Sequence, residues 1–296
     1  MSRSGTVLVV QYVPAGVRAL ALLGLHPRIG VAWGSDVYMT TNATLRLAVA
    51  AVQQRLFLRG CDAVIAPSQD LVRATVAAGA RPGTTRAVPF GVDIERFRPG
   101  PDAAGLRKRL GLVGCRVVLS NRTIAPLYHQ VTVVEALAQL PSDVVVVMTR
   151  HLARAAEVEA VERRARDLAV LPRLRLLDPV ADEEMPDLYR LADVVVSVAG
   201  SDGGPITVLE AMASGRQVVA TDLPSIREWL AELAPDALVP VGDATATAAA
   251  VRAALDRSPT ERDELARKAR VIVVERGDRE LALTAMETLH RAVTKG

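Results

Sequence analysis

The feature that most constrains the fold is the regular alternation of short Val-, Leu- and Ile-rich runs with longer amphipathic segments. Such runs suit buried parallel strands, and the segments between them are long enough for the helical crossovers that parallel strands require. The pattern therefore predicts an α/β protein with parallel sheets. The predicted strands are 6–11, 29–32, 63–66, 85–88, 116–120, 144–148, 174–177, 194–198, 218–220 and 237–239, and the predicted helices include 45–58, 69–78, 206–214 and segments between 244 and 292.

One stretch interrupts this alternation. Residues 89–101 contain three prolines and two glycines without a clear period, which is typical of a linker between domains. We therefore predict two Rossmann-like domains, at 1–95 and 96–296. Ligands of such sheets bind beyond the carboxyl ends of the strands, so the two domains are expected to flank a ligand-binding cleft.

Composition excludes several classes of protein. Only 3% of the 296 residues are aromatic and the net charge is +3, which argues against a nucleic-acid partner bound by base stacking. The two cysteines are far apart and indicate buried thiols in a reducing compartment. With neither a long apolar run nor a leader-like start, we expect a cytoplasmic protein. Peripheral association with the inner face of the membrane is compatible with the sequence, and the oligomeric state is not indicated.

The junction at 201–215, between a predicted strand and a predicted helix, is the strongest candidate for chemistry. Gly203 and Gly204 permit a positive φ and a close backbone approach, and Pro205 suits the first turn of the following helix. The unpaired N–H groups at a helix start favour an anion such as a diphosphate, and ribose hydroxyls would suit Glu210 as donors. The alternative is a plain turn followed by a solvated Glu210.

The pair Asp202-x7-Glu210 resembles the Glu-x7-Glu signature of family 4 retaining glycosyltransferases, which have the GT-B fold. The resemblance continues, in order and spacing, through 61–68, 88–99, 188–197 and 217–222. It implies that Asp202 contacts the transferred sugar, that Gly203 and Gly204 face the donor diphosphate and sugar, and that Glu210 holds the nucleotide ribose. It further implies base recognition through backbone groups near Val180.

The phosphate-binding segment departs from the family pattern. The family has an Arg and a Lys after the first strand of the second domain; Arg122 fits the first role, whereas Tyr128 occupies the Lys position. Tyr128 could donate a hydrogen bond to a phosphate but carries no charge. We interpret the adjacent His129 as a surface residue at a helix start, the alternative being that its protonated form shares the phosphate charge.

The N-terminal part is a second departure, since about 90 residues precede the linker where the family has a domain of full size. Thr6–Gln11 would then be a middle strand of a shortened acceptor-side domain. Gly34, Ser35 and Asp36 would line the cleft. Alternatively, they form a turn and an N-cap before the helix at 43–58.

The predicted function is transfer of a hexosyl unit from a nucleotide diphosphate sugar to an unknown acceptor hydroxyl. We expect no cofactor and no metal, because the chain has no Asp-x-Asp pair to hold a bridging cation. A non-catalytic nucleotide-sugar-binding or partner subunit is the alternative, supported by the missing Lys. A nucleotide-sugar epimerase is a weaker third candidate, since few histidines are available for proton transfer.

Overall fold

The computed structural model describes residues 7–11, 27–38, 45–101 and 104–295. Its contacts divide the chain into two compact units. Unit 1 comprises Met1–Gly91, Asp202–Gly204 and Arg279–Gly296, and unit 2 comprises Val92–Ser201 and Pro205–Asp278. None of the helices in the described ranges is both long and apolar enough to cross a lipid bilayer.

Unit 1 is built on a parallel sheet in the order β1-β2-β3-β4. The predicted strands of this unit recur within two residues at each end, although Thr6 lies outside the described residues. The elements are β1 (Leu8–Gln11), β2 (Arg28–Val31), α1 (Ser35–Tyr38), α2 (Leu45–Arg59), β3 (Ala63–Ala66), α3 (Gln69–Ala77) and β4 (Thr85–Ala87), followed much later by α12 (Arg279–Lys295).

The last helix differs from its predicted placement. Ala282 of α12 is buried in one cluster with Ile29 and Ile65 of the unit 1 sheet, and Met286 packs against the same cluster. The sequence-based boundary instead placed 279–296 in the second domain. Both sheets offer apolar faces, so the amphipathic pattern of α12 indicated that it packs on a sheet but not on which one.

The predicted linker also differs from the structure. Residues from Val92 onward belong to unit 2, and Phe97 is buried with its ring edge-on to Tyr189 at 5.6 Å between centroids. The guanidinium of Arg270 donates hydrogen bonds to the carbonyls of Ile94 and Phe97. Prolines and glycines correctly marked a break in periodicity, but side-chain packing makes most of this stretch part of unit 2.

Unit 2 is a six-stranded parallel sheet in the order β10-β9-β8-β5-β6-β7. This doubly wound arrangement was predicted, and the predicted bounds of β5 and β7 are reproduced. The elements are α4 (Ala104–Arg109), β5 (Arg116–Ser120), α5 (Gln130–Leu137), β6 (Val144–Thr149), α6 (Ala155–Asp167), β7 (Leu174–Leu177), α7 (Met185–Leu191), β8 (Val194–Ser197), α8 (Ile206–Ala213), β9 (Gln217–Thr221), α9 (Pro224–Leu230), β10 (Leu238–Val239), α10 (Ala244–Asp256) and α11 (Pro259–Arg276).

The unit 2 sheet is covered on both faces, which explains its almost uninterrupted Val-rich strands. Val195 belongs to one core cluster, with Leu209 and Met212 of α8. Its neighbours Val194 and Val196 belong to the other cluster, because successive side chains of a strand point to opposite faces. Helix α8 is thereby anchored by its apolar side, and this anchoring sets the position of every residue it carries.

Candidate functional site

In a doubly wound sheet such as that of unit 2, the ligand-binding position is where the strand order reverses. The chain runs from β5 through β6 to β7 on one side and from β8 through β9 to β10 on the other, while β5 and β8 pair directly. In such sheets the connections that leave the two neighbouring strands run to opposite faces, and ligands bind beyond the carboxyl ends of these strands. Arg122 follows β5, and the loop leading to α8 follows β8.

A hydrogen-bonded chain of three side chains lies in unit 2. Asn121 Nδ2 donates to Tyr189 Oη at 2.9 Å, and Tyr189 Oη donates to Glu210 Oε2 at 2.5 Å. Tyr189 is fully buried on α7, whereas Glu210 is half-buried on α8. The chain links the end of β5 to two helices and holds one carboxylate oxygen of Glu210 in place, so Glu210 is not an ordinary solvated helix residue.

Sequence reasoning missed Asn121 and Tyr189 as site residues. The sequence did contain a signal for Tyr189. This residue lies on the apolar face of the helix that precedes a buried strand, and its hydroxyl is a polar group on that face. A buried tyrosine hydroxyl needs a hydrogen-bond partner. Which partner it finds depends on the packing of α7 against α8, which the sequence pattern does not specify.

Burial dominates the electrostatics of Glu210. It raises the pKa of Glu210 from the ordinary 4.5 to about 7, against the hydrogen bond from Tyr189 and the positive charges of Arg96 and Arg122, which lower it. Burial and the neighbouring Glu210 raise the pKa of Tyr189 well above its usual value. Tyr189 therefore remains a proton donor to the carboxylate, and Glu210 titrates near neutral pH.

Arg122 lies over an aromatic ring. Its guanidinium carbon is 4.3 Å from the centroid of the Tyr128 ring, a cation–π contact within unit 2. The buried Gln130 fixes the start of this loop, since its Nε2 donates to the Arg122 carbonyl and its Oε1 accepts from Ser120 Oγ, both at 2.8 Å. The structure thus shows Tyr128 as a support for Arg122; its predicted hydrogen bond to a phosphate stays a prediction.

His129 immediately precedes α5, as expected for a helix-start residue, but it is half-buried in a left-handed backbone conformation (φ 48°, ψ 40°). A Cβ atom on Gly200 would lie 2.9 Å from His129 Nε2, and Gly200 N donates to the Leu127 carbonyl at 2.7 Å. The imidazole therefore packs on the loop that follows β8. This contact is a reason for glycine at position 200.

Gly203 and Gly204 belong to unit 1 by their contacts. An added Cβ would lie 2.7 Å from the Trp33 carbonyl oxygen at Gly203, and 2.7 Å from Pro67 Cβ at Gly204. Neither glycine has a positive φ, so the left-handed conformation that glycine permits is not used here. The close neighbours of both glycines are protein atoms, and their predicted approach to a diphosphate and sugar stays a prediction. Ser68 Oγ donates to the Gly203 carbonyl, and Gly204 N donates to Asp202 Oδ1.

Gly203→Ala should destabilise the protein by about 1–3 kcal/mol, because the methyl group would overlap backbone atoms that have little freedom to move. Gly83→Ala is the matched control, since a Cβ there meets no atom within 4 Å. Urea unfolding of both variants measures the difference. Equal stability of the two variants would show that the loop at 202–204 accommodates the added methyl group without a loss in the free energy of unfolding.

The predicted cleft residues Gly34 and Asp36 form a tight turn. Asp36 Oδ1 accepts from Trp33 N at 3.0 Å and from Gly34 N at 2.9 Å, and Gly34 has a φ of 117°. This confirms the turn but corrects the predicted capping, because Asp36 lies within the separate helix α1 and not at the start of α2. The side chain of Ser35 lies outside what the structure describes.

The remaining predicted residues, Pro205 and Val180, lie in unit 2. Pro205 is buried at the N-cap of α8, one residue before the helix, and its own side chain makes no capping hydrogen bond. Val180 follows β7 and lines a cavity of about 460 Å³ together with residues of α4 and α7. A helix start and a cavity beyond a strand end are both suited to ligand contacts.

Unit 1 contains a larger, mostly apolar cavity of about 610 Å³. It is lined by sheet residues that include Val9 and Ile65, by Trp33, and by polar side chains of α12 such as His290. The rings of Trp33 and Phe90 are 4.8 Å apart at one side of it. A cavity of this size accommodates a small organic group with an apolar part.

Comparison with known proteins shows what part of unit 2 is similar to. Residues 114–257 match the family model described as glycosyl transferases group 1. The D-inositol 3-phosphate glycosyltransferase of Geodermatophilus obscurus is 35% identical over 207 residues, which cover 66% of this chain and 46% of that protein. The chain thus spans about half the length of the curated relatives it matches.

Solved structures match nearly the whole chain. Anabaena HepE in complex with UDP and glucose superposes with a TM-score of 0.82 at 22% identity, covering 95% of this chain and 77% of HepE. Sucrose-phosphate synthase from Thermosynechococcus elongatus gives a TM-score of 0.83 at 20% identity, with 97% and 73% coverage. These matches confirm the predicted GT-B fold.

Proposed function

We propose that the chain is a retaining glycosyltransferase, because residues 114–257 match the family model described as glycosyl transferases group 1 and the fold is that of GT-B structures. It moves a hexosyl unit from a nucleotide diphosphate sugar to an acceptor hydroxyl. The observation that carries the proposal concerns the Glu210 carboxylate, which accepts a hydrogen bond from Tyr189 and whose pKa is lowered by the positive charge of Arg122. Glu210 lies on the helix that follows β8, one of the two strands at which the strand order of unit 2 reverses.

The reaction needs no nucleophile from the protein. The bond between the sugar C1 and the diphosphate oxygen breaks while a bond from C1 to the acceptor oxygen forms on the same face. The acceptor proton passes to the departing diphosphate, so charge and atoms balance. The protein contributes position and stabilisation of the negative charge that develops on the leaving group.

The predicted donor-site residues have the following places in this scheme. Arg122, supported by the Tyr128 ring, stabilises the diphosphate, and the N-terminus of α8 adds N–H donors after Pro205. Glu210 accepts hydrogen bonds from the ribose hydroxyls, and backbone groups near Val180 contact the base. We further propose that Asp202, with Gly203 and Gly204, contacts the transferred sugar, and that the reaction requires no metal or cofactor.

The acceptor is proposed to bind unit 1. Support comes from the apolar cavity beside Trp33 and Phe90, which suits an acceptor with an apolar part better than a free hexose. The polar side chains on α12 would then contact its polar end. The donor is proposed to be a uridine diphosphate sugar, because the HepE structure contains UDP and glucose.

Calorimetry with UDP, GDP and ADP, followed by assays for hydrolysis or transfer with the matching sugars, tests the proposal. We expect UDP to bind and UDP-hexose to be turned over. Binding without turnover of any sugar would identify the alternative, a nucleotide-sugar-binding subunit, which the missing Lys at Tyr128 favours. The absence of nucleotide binding by folded protein would contradict both functions.

A further inference from the structure

The backbone around Arg96 is fixed on unit 2 by a short turn. Asp93 Oδ1 accepts hydrogen bonds from the N–H groups of Glu95 and Arg96, at 3.2 and 3.1 Å. Phe97 N donates to the Asp93 carbonyl at 2.8 Å. An aspartate that binds its own following backbone stabilises a turn of this kind. The turn therefore sets the point from which the Arg96 side chain extends.

The Arg96 side chain connects two segments that are far apart in the chain. Its Nη1 donates to Asp182 Oδ2 at 2.7 Å, and its Nη2 donates to the Asp182 carbonyl. Its guanidinium carbon also lies 5.3 Å from the centroid of the Phe97 ring, which packs edge-on against Tyr189. Because a planar guanidinium binds with two donors here, the contact fixes direction as well as distance.

The loop that Arg96 contacts joins two groups of the proposed donor site. Val180, near which backbone groups are proposed to contact the base, precedes Asp182 by two residues. Helix α7 begins at Met185 and carries Tyr189, which donates to Glu210. A displacement of this loop would therefore affect the proposed base contact and the proposed ribose contact together.

The two partners of this ion pair act on Glu210 in opposite directions. Burial has the largest effect and raises the pKa of Glu210, and the hydrogen bond from Tyr189 lowers it. The positive charge of Arg96 lowers this pKa as well, with a larger effect than that of Arg122, whereas the negative charge of Asp182 raises it. These groups come from α7, from the segment before α4, and from the loops after β5 and β7.

We propose that Arg96 is a positioning residue of the donor site, which holds the loop between β7 and α7 through Asp182 and supplies positive charge to the Glu210 carboxylate. The inference rests on the proposed function, because it takes Glu210 as the residue that binds the ribose. It assigns a role in nucleotide binding to a residue that acts through Asp182 and Glu210. The segment that follows unit 1 in the chain thereby contributes to the site of unit 2.

Titration of the Glu210 carboxyl in nucleotide-free protein is the first test. Protein isotope-labelled at the glutamate side-chain carboxyl carbon reports this ionisation by NMR, and Glu210→Gln assigns the signal. Arg96→Gln should move the midpoint to higher pH, because a positive charge is removed. Asp182→Asn should move it to lower pH, because a negative charge is removed. A purely structural ion pair would give shifts in the same direction, since both variants break the same contact.

Calorimetric titration with UDP measures the consequence for binding. At pH 8 each variant should weaken the Kd by up to about fivefold, the range for a partly exposed ion pair. At pH 6 the loss in Arg96→Gln should exceed the loss in Asp182→Asn by about fivefold, because less of its Glu210 is ionised. The kcat for a UDP-hexose should change by less than about twofold, unlike that of Arg122→Ala.

The ion pair of Arg116 with Asp143 is a matched control. Its N–O distance is 2.7 Å and the Arg116 side chain is 30% exposed, the same values as for Arg96 with Asp182. It lies at the amino end of β5, whereas Arg122 follows the carboxyl end. Arg116→Gln and Asp143→Asn should leave the Glu210 midpoint and the Kd for UDP as in the wild type, and circular dichroism checks that each variant is folded.

The proposal would be overturned by a Glu210 midpoint that stays in place in both variants, that moves in one direction in both, or that moves equally in the control pair. Each of these results can occur in a protein that binds and turns over nucleotide sugar, and would leave the proposed function intact. A wild type that binds no nucleotide would contradict the proposed function and this proposal with it. The two failures are therefore distinguishable.

Discussion

Replacing Arg122 by alanine is expected to lower kcat by about 10²- to 10³-fold, with a much smaller change in the Kd for nucleoside diphosphate. The reason is that negative charge on the leaving diphosphate increases in the transition state, where a preorganised guanidinium contributes most. The measurement is steady-state turnover of the donor sugar, combined with calorimetric titration of the nucleotide. A loss of nucleotide affinity with kcat unchanged would show that Arg122 acts only in ground-state binding.

Two substitutions at Tyr128 separate its ring from its hydroxyl. Tyr128→Phe keeps the face on which Arg122 lies and should retain nearly full turnover, whereas Tyr128→Ala removes that support and should resemble a mild form of Arg122→Ala. The reverse result, a large loss in Tyr128→Phe, would restore the hydrogen bond from Tyr128 to a phosphate as its main role.

Glu210→Gln is expected to change stability and nucleotide binding in opposite directions. Because the folded pKa of Glu210 is raised to about 7, the stabilisation that the protonated carboxyl provides is complete at low pH and is lost as pH rises through 7. Glutamine keeps the shape and the oxygen that accepts from Tyr189 but does not ionise. At pH 8 the variant should therefore be more stable than the wild type by about 1–3 kcal/mol.

Nucleotide affinity should fall in the same variant, by about tenfold at pH 8, because a charge-assisted hydrogen bond to the ribose becomes a neutral one. The wild-type affinity should decrease as pH drops below 7, whereas the variant should show a flat profile. Urea unfolding and calorimetry from pH 5 to pH 8 measure both quantities. A wild-type binding profile without a step near neutral pH would contradict the assigned role of Glu210.

Tyr189→Phe is the control that distinguishes the positioning of the Glu210 carboxylate from its charge. It leaves the carboxylate but removes the hydrogen bond that lowers its pKa, so the step in the binding profile should move to higher pH. Glu210 would also lose the contact that holds Oε2, which should weaken affinity even where it is ionised. An unchanged profile would mean that the hydroxyl of Tyr189 has no part in positioning Glu210.

The strands and most helices of both units could be predicted from the sequence because their signals are local. The bounds of β3, β5 and β7 agree with the predicted 63–66, 116–120 and 174–177. A buried strand is typically a short run of mostly apolar residues, and a covering helix repeats apolar residues every three to four positions. Such constraints act within one helix or strand, so they can be recognised in the sequence without knowing which other elements it packs against.

What the sequence determined by itself is therefore the α/β class, the parallel doubly wound sheet of unit 2, the placement of Arg122 just after β5 and the placement of Glu210 on the helix that follows β8. Only the tertiary structure decided that α12 covers the unit 1 sheet, that Asn121 and Tyr189 hold Glu210, and that Gly203 and Gly204 are needed for space. Each of these depends on atoms far apart in the chain. Distances of that kind are set by how whole elements pack, and no local pattern of residue types specifies them.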